Sequence, residues 1–143
     1  MGVLWKTKAP LFFSEELQMK KFLIASAVAM LLPTAVYADI AAELATAQTH
    51  AGLAAKAPAI DGVHMHMHHA LNCLEGPNGA DFDKTNMNPC ATQGNGAIPD
   101  ASADQKAKLT AVVATLKAGL ASNDQATAAK DATDAAAAIG AAK

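Results

Sequence analysis

Apolar residues recur in four stretches of the chain at spacings of three and four, the period of an amphipathic α-helix. The first stretch runs from about Asp39 to Lys56 and is stopped by Pro58, and the second runs from about Ile60 to Leu74. The predicted core positions are Ile40, Leu44, Ala47, Ala51 and Ala54 in the first helix and Ile60, Val63, Met67, Leu71 and Leu74 in the second. No strand pattern competes with these periods, so the sequence predicts an all-α fold.

The third and fourth stretches begin with related capping signals. Ser102 and Gln105 have the spacing of a capping box, in which the serine caps the helix and the glutamine returns to the serine amide. Ser122 and Gln125 repeat that spacing. The apolar positions are Leu109, Val112, Val113, Leu116 and Leu120 in the third helix and Ala129, Ala132, Ala136 and Ile139 in the fourth. Short turns join helices one and two and helices three and four, so we expect an antiparallel four-helix bundle built from two helical hairpins.

Between the second and third helices, the segment from Gly76 to Ala101 is rich in Gly, Asn, Asp and Pro and has almost no apolar periodicity. We interpret it as a long loop. The chain has only two cysteines, Cys90 in this loop and Cys73 in the second helix, and in an oxidising compartment such a pair most often forms a disulfide. Closing a loop of this size is worth roughly 3 kcal/mol in the chain-entropy model. The alternative is that Cys73 stays reduced and serves as a thiolate metal ligand.

The N-terminal segment has the pattern of a signal peptide. Lys20 and Lys21 supply a positive start, residues 22–32 an apolar run, and residues 36–38 a small-residue cleavage site, so we expect cleavage between Ala38 and Asp39. The apolar run is too short to span a bilayer comfortably, and no stable membrane anchor is expected after cleavage.

Because a signal peptide begins at its charged end, Met19 is the expected first residue and residues 1–18 an untranslated leader; the alternative is a longer charged region. Residues 1–38 are thus leader plus signal peptide. Cleavage is expected to leave residues 39–143 as a single helical domain that is either periplasmic or secreted.

Composition restricts the function of that domain. The chain has 11 basic residues, none of them arginine, against 13 acidic ones, so it lacks the guanidinium groups and the basic stripe that grip nucleic acid. Aromatic residues make up 4% of the chain and alanine is abundant, which makes a core of small side chains. Such a thin core usually needs a disulfide, a metal or a partner chain. No residue stands in a recognisable catalytic context, so we expect no enzyme activity.

The strongest chemical signal is the run from Val63 to His69, which holds four of the five histidines and two methionines. Imidazole and thioether are neutral ligands of soft and borderline transition metals, and this clustering favours metal binding over a solvated polar face. The candidate ligands are His50, His64, His66, His68, His69 and Met65. Copper is the expected metal because imidazole suits Cu(II) and thioether suits Cu(I), with zinc or nickel as other divalent candidates.

Helical geometry, at about 100° per residue, divides these histidines between two faces. His64 and His68 form an i,i+4 pair beside the core stripe, which we predict to be the principal chelating pair. His66 and His69 form an i,i+3 pair on the opposite flank. His50 of the first helix is predicted to meet the His64 side across the hairpin, although it could equally be a surface residue.

Three further side chains belong to this picture. Cys73 lies one turn beyond His69, where an unoxidised thiol would complete a second site. Met67 falls in the core stripe and is predicted to pack rather than bind metal. Met65 lies away from the core and suits either role.

One set of residues carries a family resemblance: Thr49-His50-Ala51, Ala54-Ala55-Lys56, His64, His66, His68-His69 and Leu71. In this pattern and in its alanine-rich final helices, the chain resembles the small periplasmic His-rich metal-binding proteins, four-helix bundles that take up several divalent metals, copper above all. The resemblance implies that His50, His64 and His68 are ligands, joined by His66 and His69. The chain departs from that family in its cysteine-bounded loop and in its helices without histidine.

These observations together predict a periplasmic copper buffer or carrier, acting with a metal-delivery protein or as a homodimer. Two other functions remain open. A noncovalent haem b protein would use two histidines from facing helices as axial ligands, whereas covalent c-type haem is excluded because the chain has no CxxCH motif. A protein-interaction module without metal would use the histidines to sense pH.

Overall fold

A computed structural model describes Gly2 and residues 39–143, and these residues form five α-helices and no strand. The helices are α1 (Ile40–Ala55), α2 (Ile60–Glu75), α3 (Ala97–Asp100), α4 (Ala103–Ala121) and α5 (Gln125–Gly140). The all-α prediction is therefore confirmed for this part of the chain. The predicted leader, signal peptide and cleavage motif fall within residues 1–38 and, Gly2 apart, lie outside the described residues.

The first two helices end close to their predicted boundaries. Asp39 caps α1, since its side chain accepts a hydrogen bond of 3.0 Å from the amide of Ala42. The helix ends before Lys56, and Pro58 lies in the short turn that follows. Helix α2 ends at Gly76, whose φ of 67° is a conformation that glycine adopts without steric cost.

The two predicted capping boxes have different outcomes. Ser102 caps α4 and exchanges side-chain hydrogen bonds with Gln105, as the sequence predicts. The box at Ser122 is wrong, because Asp124 caps α5 and its carboxylate accepts from both the amide and the hydroxyl of Thr127. The Asp124 carboxylate is the better cap because it accepts two hydrogen bonds. The Ser122 amide instead donates to the carbonyl of Gly119 at the end of α4.

The core lies where α1 packs against α2 and α5, and where α4 packs against α5. Helix α2 also contacts α4 and α5. Most predicted core positions are buried, while Ile40, Ile60 and Leu120 pack at the margin of the core. In α5, Ala136 also packs at the margin, and the predicted stripe is wrong at Ala129, which is half-buried and does not pack against the core. The buried positions of α5 are Ala128, Ala132, Ala135 and Ile139. In a helix that is alanine on several sides, hydrophobicity alone does not fix which alanines turn inward.

One close approach fixes α2 against α4. A Cβ atom added at Gly119 would lie far inside the contact distance of the terminal methyl of Met67, which is fully buried. Met67 therefore fills the space that a side chain at Gly119 would occupy, and the prediction that Met67 packs in the core is confirmed.

The long segment between α2 and α4 is held to α2 by a disulfide and by one amide side chain. Cys73 and Cys90 are bonded, which confirms the predicted disulfide. Asn72 is fully buried and donates through Nδ2 to the carbonyl oxygens of Asp83, Asn86 and Met87, at 2.9, 3.2 and 3.1 Å. Its Oδ1 accepts from the Asp83 amide at 2.8 Å, so both ends of the side chain are bonded to the loop.

Regular structure interrupts this segment, since α3 forms one helical turn where the sequence predicted only loop. The backbone at Gly96, just before α3, lies very close to the backbone at Gly76. A side chain at either position would collide with the backbone of the other segment. Gly96 also has a positive φ of 113°. Among the described residues, no helix is both long enough and apolar enough to cross a membrane.

Candidate metal site

Three histidines from two helices converge on the surface between α1 and α2. His50 of α1 faces His66 and His69 of α2, with ring centroids 5.1 to 5.6 Å apart. Each residue offers one ring nitrogen, and these nitrogens all lie within 4.8 Å of one another. We call these three residues the histidine cluster; among the described residues it is the set of three or more potential ligands with this spacing.

The closest pair of nitrogens already has the spacing of two ligands on one ion. His50 Nδ1 lies 3.3 Å from His66 Nδ1. Two nitrogens each about 2.0–2.1 Å from one tetrahedral metal ion are about 3.3 Å apart. Without metal, the same approach suits a hydrogen bond from one N–H to the other ring's lone pair. The third ring, His69, stands nearly perpendicular to both others, at 85° and 82°.

Burial disfavours the protonated form of two of these rings, and the neutral form is the one that binds metal. Burial is the main cause that lowers the pKa of His50, and the neighbouring rings of His69 and His66 lower it further because like charges repel. The pKa of His69 is lowered by burial first, then by His66 and His68. A neutral imidazole has a free lone pair, so the cluster needs less proton displacement to accept an ion.

His69 has a second unusual property. Only 6% of the residue is exposed, and its Nδ1 is buried without a hydrogen-bond partner. Leaving such a group unsatisfied costs roughly 1–3 kcal/mol. His50 and His66 are only half-buried. The cluster therefore combines one enclosed nitrogen with two rings that solvent reaches.

The other two histidines of the run have separate partners. His64 Nε2 lies 3.0 Å from the carbonyl oxygen of Ser122. His68 Nδ1 lies 3.2 Å from Asp83 Oδ2, close enough for an ion pair when the ring is protonated, although not aligned for a hydrogen bond. We call His64 and His68 the His68 face of α2, and His66 and His69 the His69 face. The predicted chelating pair contributes no nitrogen to the histidine cluster.

The prediction that His50 meets the His64 side is wrong. Spacing along α2 correctly separates the two faces, but the side of α2 that α1 covers depends on how α2 is rotated against the rest of the core. The apolar stripe of α2 indicates which side faces the core, and the contact of Met67 with Gly119 of α4 is part of that packing. The stripe does not indicate on which of its two flanks α1 packs, because that depends on how the more distant helices are arranged around α2.

Two other sulfur-containing side chains of α2 do not coordinate a metal ion in this structure. The alternative of Cys73 as a thiolate ligand is wrong, because its sulfur is bonded to Cys90. Met67 is fully buried in the core. Met65 remains accessible, with 43% of its surface exposed, one turn before His69 on α2.

Sequence reasoning missed two residues that organise the loop after α2, Asn72 in the helix and Asp83 in the loop beside His68. Asp83 accepts from the amide and hydroxyl of Thr85 and from the side chain of Asn86, and these bonds lower the pKa of its carboxyl to about 2. A polar Asn72 on a helix whose flanking residues Leu71, Cys73 and Leu74 are all apolar was the available signal. A buried amide must find partners, and the following loop is the nearest supply.

Comparison of the chain with protein-family models, with curated proteins and with solved structures gives no match. The functional argument consequently depends on the geometry of the histidine cluster.

Proposed function

We propose that this protein binds a transition-metal ion, copper above all, through His50, His66 and His69. The observation that carries the proposal is the convergence of three ring nitrogens within 4.8 Å, two of them already 3.3 Å apart. The buried, unpartnered Nδ1 of His69 supports it, because an ion bound to that nitrogen would supply the partner that it lacks.

The donor set favours copper among the divalent metals. Three neutral imidazoles suit Cu(II), Zn(II) and Ni(II), and Cu(II) binds most tightly of these at a given nitrogen site. The exposed thioether of Met65, one turn from His69, is a soft donor of the kind that Cu(I) uses and zinc does not, so it suits copper through its reduced state. Zinc and nickel remain the competing occupants of the three imidazoles.

The role that fits this site is buffering or carriage without catalysis, in the periplasm or outside the cell. Half-buried His50 and His66 leave the ion within reach of a metal-delivery protein or of a second copy of the chain. The signal-peptide pattern of residues 1–38, the Cys73–Cys90 disulfide and the resemblance to small periplasmic His-rich proteins support this location.

We also propose that α1, α2, α4 and α5 form an antiparallel four-helix bundle. Only residues 56–59 separate α1 from α2, and only residues 122–124 separate α4 from α5. Connections this short favour neighbouring helices that run in opposite directions. The packing of α1 on α2 and α5, and of α4 on α5, fits that arrangement.

A titration of the metal-free, disulfide-bonded protein with Cu(II) tests the metal site. His69→Ala and His50→Ala should each weaken binding by at least about 100-fold, the upper range seen even for residues that only support a ligand. His64→Ala/His68→Ala should leave the affinity nearly unchanged. His50 is half-buried, so its variant separates lost ligation from lost folding, which circular dichroism and thermal unfolding would monitor.

Two outcomes would contradict the assignment. Equal losses in His69→Ala and in the His64→Ala/His68→Ala control would mean that the cluster is not the principal site. A Soret band in protein purified from its native host would favour the haem interpretation. Elemental analysis of that same preparation distinguishes copper from zinc and nickel.

A further inference from the structure

The loop after α2 crosses that helix in a definite direction. Asp83 lies beside His68, the carbonyl of Met87 is held by Asn72, and Cys90 is bonded to Cys73. At about 100° per residue, Asn72 projects roughly 40° from His68 around the helix axis and Cys73 a further 100°. The loop therefore passes across α2 from the His68 side to the Cys73 side.

His69 lies close along α2 to both residues that hold the loop, Asn72 and Cys73. On the same projection its side chain falls between Asn72 and Cys73, and Met65 falls between Asn72 and His69. The burial of the residues agrees with this path, because His69 is 6% exposed while the adjacent His66 remains half-buried. The carbonyl of Met87 is bonded to Asn72, which lies one turn after His69 on α2.

The side chains of Met65 and Met87 are 43% and 64% exposed. With Leu53 they are the exposed large hydrophobic residues of the described part of the chain. A single exposed apolar side chain is ordinary and needs no explanation. Met65 lies one turn before His69, and Met87 is tied to Asn72, one turn after it. These two methionines are different, since neither belongs to the core and both carry a soft donor atom.

We propose that Met65 and Met87 bind Cu(I) together with His69, so that the histidine cluster holds Cu(II) and the thioethers extend the same site to the reduced ion. The inference rests on the proposed function and adds Met87, which lies outside the histidine run, to the ligands. Each methionine has three rotatable bonds and is exposed, so both thioethers are free to turn toward His69. Each oxidation state is bound as supplied, and no electron transfer is required of the protein.

The experiment compares Cu(I) and Cu(II) affinities of the full disulfide-bonded protein and of methionine variants. Cu(I) is generated and held by a nonthiol reductant under anaerobic conditions and competed with a chromophoric Cu(I) chelator. Met65→Leu/Met87→Leu should lose at least about tenfold in Cu(I) affinity, and each single variant part of that loss, with Cu(II) affinity unchanged. Met67→Leu is the matched control, because it removes a thioether that is buried in the core and should leave both affinities unchanged.

X-ray absorption of the Cu(I)-loaded protein supplies a second readout. The wild type should show sulfur neighbours that disappear in Met65→Leu/Met87→Leu. Unchanged Cu(I) affinity in the double variant, a silent Met87→Leu, or a copper shell without sulfur in the wild type would overturn the inference while leaving the Cu(II) site standing. Failure of the wild type to bind either ion would instead overturn the proposed function.

Discussion

The two faces of α2 both carry histidines from one run of the sequence, but the groups that these histidines contact are different. On the His69 face, the imidazoles contact each other and the imidazole of His50 in α1. On the His68 face, His64 lies beside a backbone carbonyl and His68 beside a carboxylate. Spacing decides which histidines share a face, but the segments that cross the helix decide which of them are free to bind an ion.

The largest expected effect comes from removing the side chain that holds the loop across both faces. Asn72→Ala should lower the free energy of unfolding by about 3 kcal/mol, since its hydrogen bonds are worth about 1 kcal/mol each and buried loop carbonyls lose their donor. Urea unfolding measures the loss. Asn88→Ala, which removes one hydrogen bond to the Cys90 amide, should cost no more than about 1 kcal/mol. Equal losses would show that Asn72 does not hold the loop.

A second variant alters the rotation that separates the faces. Gly119→Ala should destabilise the protein by about 1 kcal/mol, because the buried Met67 methyl has to displace its neighbours and this outweighs the gain in helix propensity. Gly52→Ala is the control with the opposite sign. Nothing lies within 4 Å of a Cβ there, so that variant should gain roughly 0.5–1 kcal/mol.

Thermal unfolding of both glycine variants measures these changes, and a Cu(II) titration shows whether the histidine cluster moves with Met67. Weaker copper binding in Gly119→Ala, with unchanged binding in Gly52→Ala, would sharpen the comparison between the faces. A Gly119→Ala protein as stable as Gly52→Ala would mean that Met67 does not fix the rotation of α2.

The smallest expected effect is a pH dependence on the His68 face. The pKa of Asp83 falls from the ordinary 3.8 to about 2, first through its bonds to Thr85 and Asn86. A carboxyl with a lowered pKa adds stability that is complete above pH 3.8 and disappears as the pH falls through about 2. In the metal-free protein, Asp83→Asn should reduce the change of melting temperature with pH over that interval. The control Asp104→Asn should leave that change as in the wild type. Identical slopes would refute this role for Asp83.

Much of the fold was predictable because it depends on local signals. Helical period, Pro58 and the Ser102 capping box placed the four longer helices, and a lone pair of cysteines in a chain predicted to be exported indicated their disulfide. Where local signals competed, prediction failed. Asp124 displaced Ser122 as a cap because both lie within the same turn and either can cap the helix.

The candidate site was predictable only in part. All three members of the histidine cluster were among the candidate ligands, but His50 was assigned to the wrong face. Its partners depend on contacts between α2 and α4, which are distant along the chain. Asn72 carried a signal, a polar residue among apolar neighbours, but its partners could not be predicted, because the path of the loop that supplies them has no periodic pattern.

The contact between Gly76 and Gly96 gives the intervening segment a property that concerns evolution rather than binding. Because the chain leaves α2 and returns to α3 at nearly the same point, residues 77–95 form an appendage whose excision would leave a gap that a short peptide can close. Insertions and deletions within this segment can therefore change its length without moving the end of α2 or the start of α3. Cys90 and the partners of Asn72 are the positions that such changes must spare, because losing them would leave buried groups of α2 unpaired.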